Sequence, residues 1–221
     1  MKVILFGATG MVGQGVLREC LLDPHVELVL TVGRSATNQS HPKLREIVQR
    51  DLLDLSEVSE QLRGYDACFF CLGVPSAGMT EEAYRHVTYD LTVAVGETLA
   101  RLNPALTFAY VSGAGTDSTE QGRSMWARVK GRTENALLKM PFKAAYMFRP
   151  GIIRALHGIR SKSRTYRILY TVLYPIVLLT AAVAPNSLTT TEKMGRAMIH
   201  VVERGAPKTI LGTRDINELA K

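Results

Sequence analysis

Few residues of this sequence could hold a metal ion or form a disulfide. It has three cysteines, Cys20, Cys68 and Cys71, and its five histidines lack the paired spacing of zinc sites. We therefore expect neither a structural metal nor a disulfide framework. Cys68 and Cys71 form a C-x-x-C, but within the apolar run 67–71, where a spacing of three directs two side chains to opposite faces of a strand. We interpret them as packing residues, because a redox dithiol needs a helix N-terminus to lower a thiol pKa.

Acidic residues are missing from one long stretch of the sequence. No Asp or Glu occurs between Glu134 and Glu192, whereas eight Lys or Arg residues do. The other 19 basic and 20 acidic residues nearly cancel, so this stretch accounts for the net charge of +7. Such a field attracts an anion: cofactor phosphates, an acidic substrate or an anionic lipid surface. Nucleic acid is not expected as a partner, because no aromatic platform or reading helix accompanies the charges.

Short apolar runs alternate with helical segments along the first 150 residues. The apolar runs lie at 3–6, 28–32, 67–71, 106–111 and 144–148, a short strand is expected near 44–48, and the helical segments lie at 11–22, 81–102 and 123–139. This alternation is typical of a parallel sheet with helices on both faces, and right-handed crossovers then give a doubly wound α/β fold.

The C-terminal third loses this rhythm. The chain length suits one structural domain, in which we distinguish a core at 1–151, a basic and apolar cap segment at 152–188, and a return to the core at 189–221. Thr189-x-x-Glu192 predicts a capping box for a final helix that runs to about Glu203, and 209–211 predicts a last strand.

The first apolar run leads into a glycine-spaced turn and then a helix. Gly7 can adopt the positive φ of a tight turn, Gly10 allows a pyrophosphate to approach the backbone, and Gly13 allows the helix to pack closely on the strand. The helix N-terminus adds free N–H groups and a partial positive charge. This context, a strand before and a helix after the glycines, predicts a dinucleotide site. Its candidate residues in the turn are Gly7, Thr9, Gly10, Met11, Val12 and Gly13.

Three further motifs follow this turn in order. They are Cys71-Leu72-Gly73, Val129-Lys130-Gly131 and Phe148-Arg149-Pro150-Gly151. With Ser112 at the end of the fifth strand, the set resembles the extended and atypical short-chain dehydrogenase/reductases, including the NAD-dependent epimerase/dehydratase type. It is most similar to their Tat-interacting-protein-like oxidoreductase group, over nearly the whole chain.

The resemblance implies a Rossmann fold, a bound NAD(P) and a small-molecule substrate. It places Asp51 and Leu52 beside the adenine and Leu72 and Gly73 beside the nicotinamide-side ribose, and Cys71 also belongs to the cofactor-binding set. Lys130 would bind the ribose hydroxyls, and the cofactor set is completed by Pro150, Gly151 and Ile152. Asp51 could equally be a helix-cap residue.

The choice between NAD and NADP is indicated by the end of the second strand. An NAD site usually has an acidic residue there for the adenosine ribose hydroxyls. This chain has Val32-Gly33-Arg34 instead, and an arginine can pair with a ribose 2′-phosphate. We therefore expect NADP(H) rather than NAD(H), although a solvated Arg34 would leave NAD possible.

The catalytic residues depart from the family. Its members carry a tyrosine four residues before the helix lysine, as the acid or base of hydride transfer, whereas this chain has Trp126 before Lys130. An indole N–H donates a hydrogen bond but cannot exchange a proton near neutral pH. Trp126, Lys130 and Ser112 are the candidate catalytic residues, with Gly113 or Ala114 as alternatives to the serine, and Thr88 stands where the family has a helix asparagine. Trp126 could stack beside the nicotinamide or only pack on the sheet. The chain is then an NADPH-dependent oxidoreductase without the usual tyrosine, or an NADP(H)-sensing or scaffolding protein.

The segment 168–184 is nearly continuous apolar sequence, interrupted by Pro175. It is short for a membrane span, which needs about 20 residues. Residues 152–184 could instead bind an anionic membrane surface, or cap the substrate side of the sheet. Because the first apolar run is only four residues long, we expect no signal peptide and a cytoplasmic protein, with peripheral membrane attachment as an option.

Overall fold

A computed structural model describes residues 1–159 and 188–221 of the chain. The interpretations of 168–184 as a cap, an anchor or a span concern residues outside those described. Within the described ranges, no helix combines the length and the apolar character that crossing a membrane requires.

Seven parallel strands form the central sheet, in the spatial order β3-β2-β1-β4-β5-β6-β9. The strands of the structure are β1 (Lys2–Phe6), β2 (Leu28–Gly33), β3 (Leu44–Val48), β4 (Ala67–Phe70), β5 (Thr107–Val111), β6 (Ala144–Arg149), β7 (Ile152–Arg154), β8 (Leu188–Thr190) and β9 (Ile210–Gly212). The doubly wound parallel fold predicted from the sequence is confirmed. Its strand order reverses direction between β1 and β4, which is the topological switch point where such sheets bind ligands.

Helices cover both faces of the sheet. They are α1 (Met11–Leu22), a 3₁₀ helix (Ser56–Leu62), α2 (Glu81–Arg85), a π-helical segment (His86–Asp90), α3 (Leu91–Leu102), α4 (Met125–Leu138), α5 (Thr191–Glu203) and α6 (Thr213–Leu219). On one face, side chains of α1 and α5 such as Leu17 and Met198 pack on Val3 and Leu5. On the other, side chains of α3 and α4 pack on Ile4 and its neighbours. Alternate residues of β1 therefore serve two cores, as a doubly covered sheet requires.

The helix predicted at 81–102 is one continuous run with a π-helical interruption. Thr80 caps its start, because its hydroxyl accepts a hydrogen bond from the Ala83 amide at 3.2 Å. Within the π segment, Thr88 is buried and its carbonyl accepts a hydrogen bond from the hydroxyl of Thr92. The ring of Tyr89 lies 4.7 Å from the Arg132 guanidinium of α4. Periodicity alone carries no signal for this widened turn.

The capping residue of α5 is Thr190 and not Thr189, so the capping box was placed one residue too early. The Thr190 hydroxyl accepts from the Lys193 amide at 3.1 Å, while Thr189 is buried in β8. The helix does end at Glu203, but it is not the last one, because α6 follows β9.

The described C-terminal residues pack against the core and against each other. The strand β9 pairs with β6, and the short strands β7 and β8 pair in parallel as a separate two-stranded sheet. Helix α5 packs on α1 without room for larger side chains: a Cβ on Gly15 would lie 2.5 Å from the Thr191 Cβ, and one on Gly195 would lie 2.7 Å from the Glu19 side chain.

Candidate functional site

The turn after β1 is built around two glycines that no other residue could replace without strain. Gly7 has φ +82°, and a Cβ there would lie 2.7 Å from the carbonyl of Cys71 and from the Leu72 amide. A Cβ on Gly13 would lie 2.0 Å from the Gly7 carbonyl oxygen. Helix α1 can therefore start directly above the end of β1, beside the chain that leaves β4.

The first turn of α1 presents backbone amides to the open edge of the sheet. Gly10 is the N-cap residue; its amide donates to the Gly7 carbonyl at 2.9 Å, and its own carbonyl accepts from Gln14 at 2.9 Å. The amides of Met11, Val12 and Gly13 precede this first intrahelical bond, where a helix has no partner of its own for them. These free amides lie at the positive end of the helix dipole, so the first turn of α1 is suited to bind a phosphate.

A pocket of about 210 Å³ opens beside this turn. Its lining residues are Gly7, Ala8, Thr9, Thr31, Val32, Gly33, Arg34, Ser35, Thr37, Leu52 and Leu72. The structure thus brings together the glycine turn, the arginine after β2 and one residue from each of the predicted adenine and nicotinamide sides. Arg34 is exposed, so a ligand in the pocket could reach its guanidinium.

The loop after β2 is fixed by a carboxylate that the sequence analysis did not single out. Glu46 of β3 accepts from the Thr37 amide at 2.7 Å and from the Thr31 hydroxyl at 3.2 Å. Thr31 and Glu46 are register partners in adjacent strands, so only the sheet reveals their contact. Glu46 therefore shapes the wall that carries Arg34.

Asp51 and Leu52 are placed differently from one another. The Leu52 side chain is buried and lines the pocket. The Asp51 carboxylate accepts from the Leu53 amide at 2.9 Å in a local turn. Its alternative interpretation as a helix cap is wrong, because the next helix begins at Ser56 with Leu55 as its N-cap residue.

The motif after β4 reaches the same edge. The Cys71 amide donates to the Phe6 carbonyl at 2.9 Å, which extends the pairing of β4 with β1 by one residue. Burial raises the pKa of the Cys71 thiol, so the group is neutral and is no nucleophile near neutral pH. Leu72 lines the pocket, and Gly73 beyond it is exposed.

Lys130 and Ser112 contact one another, but not in the arrangement of a serine that faces a substrate. The Lys130 ammonium donates to the backbone carbonyl of Ser112. The Ser112 hydroxyl is buried, 2.5 Å from a carboxylate oxygen of Glu134 and 3.1 Å from the Phe148 carbonyl. This hydroxyl would have to leave Glu134 before it could bind a substrate oxygen.

Trp126 lies one helical turn before Lys130 on α4 and is half-buried. Its ring lies over Gly115 in the loop after β5: a Cβ on that glycine would approach the ring to 3.2 Å. Gly115 has φ +87°, so the loop needs glycine there for its backbone as well. The indole therefore packs on this loop. Its alternative role, stacking beside the nicotinamide, stays a prediction.

The chain after β6 completes the edge. The Pro150 carbonyl accepts from the Ala114 amide at 2.8 Å, and the Gly151 amide donates to the Thr213 hydroxyl at 2.8 Å. Ile152 begins β7, where it pairs with Leu188. These residues follow β6 as the residues at 71–73 follow β4, so both motifs lie at the carboxyl edge of the sheet.

Lys130 carries the most strongly altered basic group among the described residues. Burial lowers its pKa to about 8, against an opposing effect of the Glu134 carboxylate. Asp117, near the same loop, has its pKa lowered by hydrogen bonds from Thr119 and Gly122, so its carboxylate is engaged in the loop. A lysine with a pKa near 8 can exist in both protonation states close to physiological pH.

The fold and this edge define a dinucleotide-binding protein of the doubly wound α/β class. The family model for NAD(P)H-binding proteins matches residues 7–147, and the chain belongs to that family. The resemblance to the atypical short-chain dehydrogenase/reductases is thereby confirmed, as the relatives below also indicate.

Two curated relatives are similar at low identity. Protein FMP52-2, mitochondrial, from Scheffersomyces stipitis is 26% identical over 98% of this chain and 96% of its own length. Protein HTATIP2 from Rattus norvegicus is 26% identical over 69% of this chain and 62% of its own length. The aligned part of the chain thus spans under two thirds of the latter protein.

Solved structures share the fold. The Bordetella bronchiseptica enzyme WbmF in complex with NAD⁺ and UDP aligns over 96% of this chain and 71% of its own, with a TM-score of 0.69 and 15% identity. UDP-glucuronic acid 4-epimerase from Bacillus cereus in complex with NAD aligns over 96% of this chain and 78% of its own, with a TM-score of 0.67 and 14% identity. At these identities, the likeness shows the architecture.

Proposed function

We propose that the protein is an NADP(H)-dependent oxidoreductase of the short-chain dehydrogenase/reductase type that works on a small molecule without the usual tyrosine. The observation that carries this proposal is the pocket in which the glycine turn before α1, through Gly7, Ala8 and Thr9, meets Arg34. The free amides at the start of α1 follow directly after this turn. The amides suit a pyrophosphate and the guanidinium suits a further phosphate on the adenosine ribose.

The preference for NADP(H) follows from the charges around the pocket. Arg34 is a permanent cation, and no Asp or Glu lines the pocket. The Glu46 carboxylate is not among the lining residues, although it accepts hydrogen bonds from Thr37 and Thr31, which are. Among the groups that line the pocket, a 2′-phosphate therefore meets the positive charge of Arg34 and no negative charge.

Arg34→Ala tests this preference. A hydrogen bond to a charged group contributes about 1.5–3 kcal/mol, so NADPH affinity should fall roughly 10- to 150-fold and NADH affinity much less. Arg101→Ala is the matched control, because it removes the same charge from an exposed site at the last turn of α3, at the opposite end of the sheet. Equal losses for both nucleotides, or a wild-type preference for NADH, would show that Arg34 does not read the phosphate.

Different residues have different roles in the proposed hydride transfer. When bound, a reduced nicotinamide supplies a hydride to a polarised carbonyl or conjugated double bond. Lys130 binds the nicotinamide-side ribose, and Leu72, Gly73, Pro150, Gly151 and Ile152 shape that side of the cleft. The proton that accompanies the hydride comes from water, the substrate or another residue, because the indole of Trp126 cannot supply it. Lys130, with its pKa lowered to about 8, is the described side chain best suited to relay that proton.

A second candidate function is a sensor or scaffold that binds NADP(H) without turnover. The observations in its favour are Trp126 at the tyrosine position and the engagement of the Ser112 hydroxyl by Glu134. Steady NADPH oxidation with a panel of quinones, enones and flavins supports the reductase, whereas tight binding without turnover supports the sensor. Trp126→Tyr should then create carbonyl reduction if the remaining machinery is intact.

We also propose a cytoplasmic protein whose basic stretch attaches to anionic membrane surfaces. The charge of the acid-free stretch supports attachment, although several relatives carry mitochondrial names. Flotation with anionic liposomes tests it: binding should be lost at high salt and on neutralising Arg160, Lys162, Arg164 and Arg167. Salt-independent flotation, or none, would contradict the proposal.

A further inference from the structure

A fully buried carboxylate lies next to the proposed cofactor site, and the chemistry above does not use it. Glu134 is on α4, one helical turn beyond Lys130, and its exposure is 0%. In the sequence, Glu134 is distinguished only as the last acidic residue before the basic stretch. Its surroundings come from three different parts of the chain, so only the fold reveals them.

Glu134 accepts hydrogen bonds from one charged and one neutral polar side chain, those of Arg149 and Ser112. The Arg149 Nε donates to its two oxygens at 3.0 and 3.1 Å, and Arg149 Nη2 donates to Oε2 as well. The Ser112 hydroxyl donates to Oε1 at 2.5 Å. Arg149 Nη2 also donates to the Ser118 hydroxyl at 2.5 Å, which ties the loop after β5 into the same network. The carboxylate therefore joins the carboxyl ends of β5 and β6 to α4.

Such a pair is not needed for stability alone. Well-packed apolar residues of similar volume are often at least as stabilising as a buried ion pair, because both ions lose their hydration. A buried, fully hydrogen-bonded pair instead defines one geometry for the groups that it contacts. Here the contacted group is Ser112, whose backbone carbonyl in turn accepts from the Lys130 ammonium.

Resting on the proposed function, we propose that Glu134 is a positioning residue of the nucleotide site. Its carboxylate, held by Arg149, fixes Ser112 at the end of β5 and keeps the ammonium of Lys130 in place for the nicotinamide-side ribose. Glu134 does not touch the cofactor in this proposal; it acts through Ser112 and through its charge.

The charged neighbours support a direct electrostatic effect on Lys130. Burial raises the pKa of Tyr110, with further contributions from Tyr84 of α2 and from Glu134, so the phenol of Tyr110 is neutral near physiological pH. Two cations among the described residues interact with Glu134: Arg149 donates hydrogen bonds to it, and the Lys130 ammonium is affected by its charge. The carboxylate favours the protonated form of Lys130, against the burial that lowers its pKa.

Glu134→Gln is the informative substitution, because it keeps the volume and an acceptor for Ser112 but removes the charge. The Lys130 pKa, followed by NMR on the ε-methylene of lysine and assigned with Lys130→Met, should fall by about one unit or more from about 8. Glu134→Asp, which keeps the charge, should restore most of it. Glu97→Gln on α3, an exposed acid, should leave the Lys130 titration unchanged.

A second readout links this titration to the nucleotide. NADPH affinity should decrease as pH rises through the Lys130 pKa, and the midpoint should move to lower pH in Glu134→Gln. If Glu134→Gln does not fold, Glu134→Gln with Arg149→Met removes both charges; the Lys130 pKa should still fall, but by less than in Glu134→Gln, because loss of the Arg149 cation acts in the opposite direction. A folded variant with an unchanged Lys130 pKa overturns the proposal and leaves Glu134 a structural role. Because the NMR titration needs no cofactor, wild-type protein that binds no nucleotide refutes the proposed function separately.

Discussion

Two substitutions in the glycine turn can separate its role in folding from its role in nucleotide binding. Gly13→Ala should destabilise the protein, because its Cβ would lie 2.0 Å from the Gly7 oxygen, a distance about 1 Å shorter than real Cβ contacts allow. The added Cβ is fixed to the backbone of α1, and the atoms that it meets are backbone atoms of Gly7 and Ala8. No side chain can move aside, so α1 must move relative to β1. We expect a cost of about 2–3 kcal/mol, at the upper end for overpacking, and a Tm lower by roughly 4–12 °C for a chain of this size.

Gly10→Ala should behave in the opposite way. Gly10 has φ −78° and ψ 166°, which any residue adopts, and its Cβ would lie 3.3 Å from the Gly7 oxygen. That tight contact is offset by the lower entropy of the unfolded alanine chain, worth about 0.4–1 kcal/mol. We expect a Tm within a few degrees of wild type, but an NADPH affinity at least about tenfold lower, because the methyl group occupies the approach of the pyrophosphate.

Thermal unfolding and calorimetric NADPH titration of both variants supply the assay. Gly64→Ala is unsuitable as a control because that glycine has φ +79°, and Gly33→Ala is unsuitable because Gly33 lines the pocket. Gly212→Ala fits, since Gly212 has φ −79°, does not line the pocket, and its added Cβ would lie an ordinary 3.6 Å from the Asp215 carboxylate. A Gly13→Ala protein as stable as wild type would refute the packing argument. A Gly10→Ala protein with undiminished affinity would refute the placement of the pyrophosphate.

Two further stability predictions follow from single residues. Thr190→Ala removes the N-cap of α5 and should cost about 1 kcal/mol in urea unfolding, whereas the loss would be absent if Thr189 were the cap. Burial raises the pKa of the Cys20, Cys68 and Cys71 thiols, so all three stay protonated in the fold while the unfolded chain ionises above its ordinary thiol pKa of about 9. Their contribution to stability is complete below pH 9 and should fall above it by about 1.4 kcal/mol per pH unit for each thiol, whereas Lys130, with its lowered pKa, acts in the opposite direction between about pH 8 and 10.5 and offsets one of them. Urea unfolding at pH 9 and pH 10 should show a net fall, and a shallower one in Cys20→Ala; a stability that does not fall over this range would contradict it.

The sequence was sufficient for the sheet because its signals are local. Each buried parallel strand is an apolar run in its own right, and β3 and α1 have the bounds that were predicted for them. Gly7 and Gly13 were identifiable because a tight turn and a close helix require glycine in any sequence context. Helix α6 was missed because it is only seven residues long, although Asp215 accepts from the Gly212 amide at its start.

The contacts that shape the site could not be predicted, because they join residues that are distant in sequence. Glu134 and Arg149 are separated by fifteen positions and meet only when α4 packs beside β6. Glu46 reaches Thr31 through strand register, which no local pattern encodes. The inward direction of the Ser112 hydroxyl likewise depends on a partner that the motif does not include.

The central claim is that the amides of the α1 turn, together with Arg34, hold a pyridine dinucleotide. Titration of the purified protein with NADPH and with NADH, followed by nicotinamide fluorescence, tests it most directly. The account predicts one saturable site per chain with tighter binding of NADPH. Absence of saturable binding for both nucleotides would contradict it.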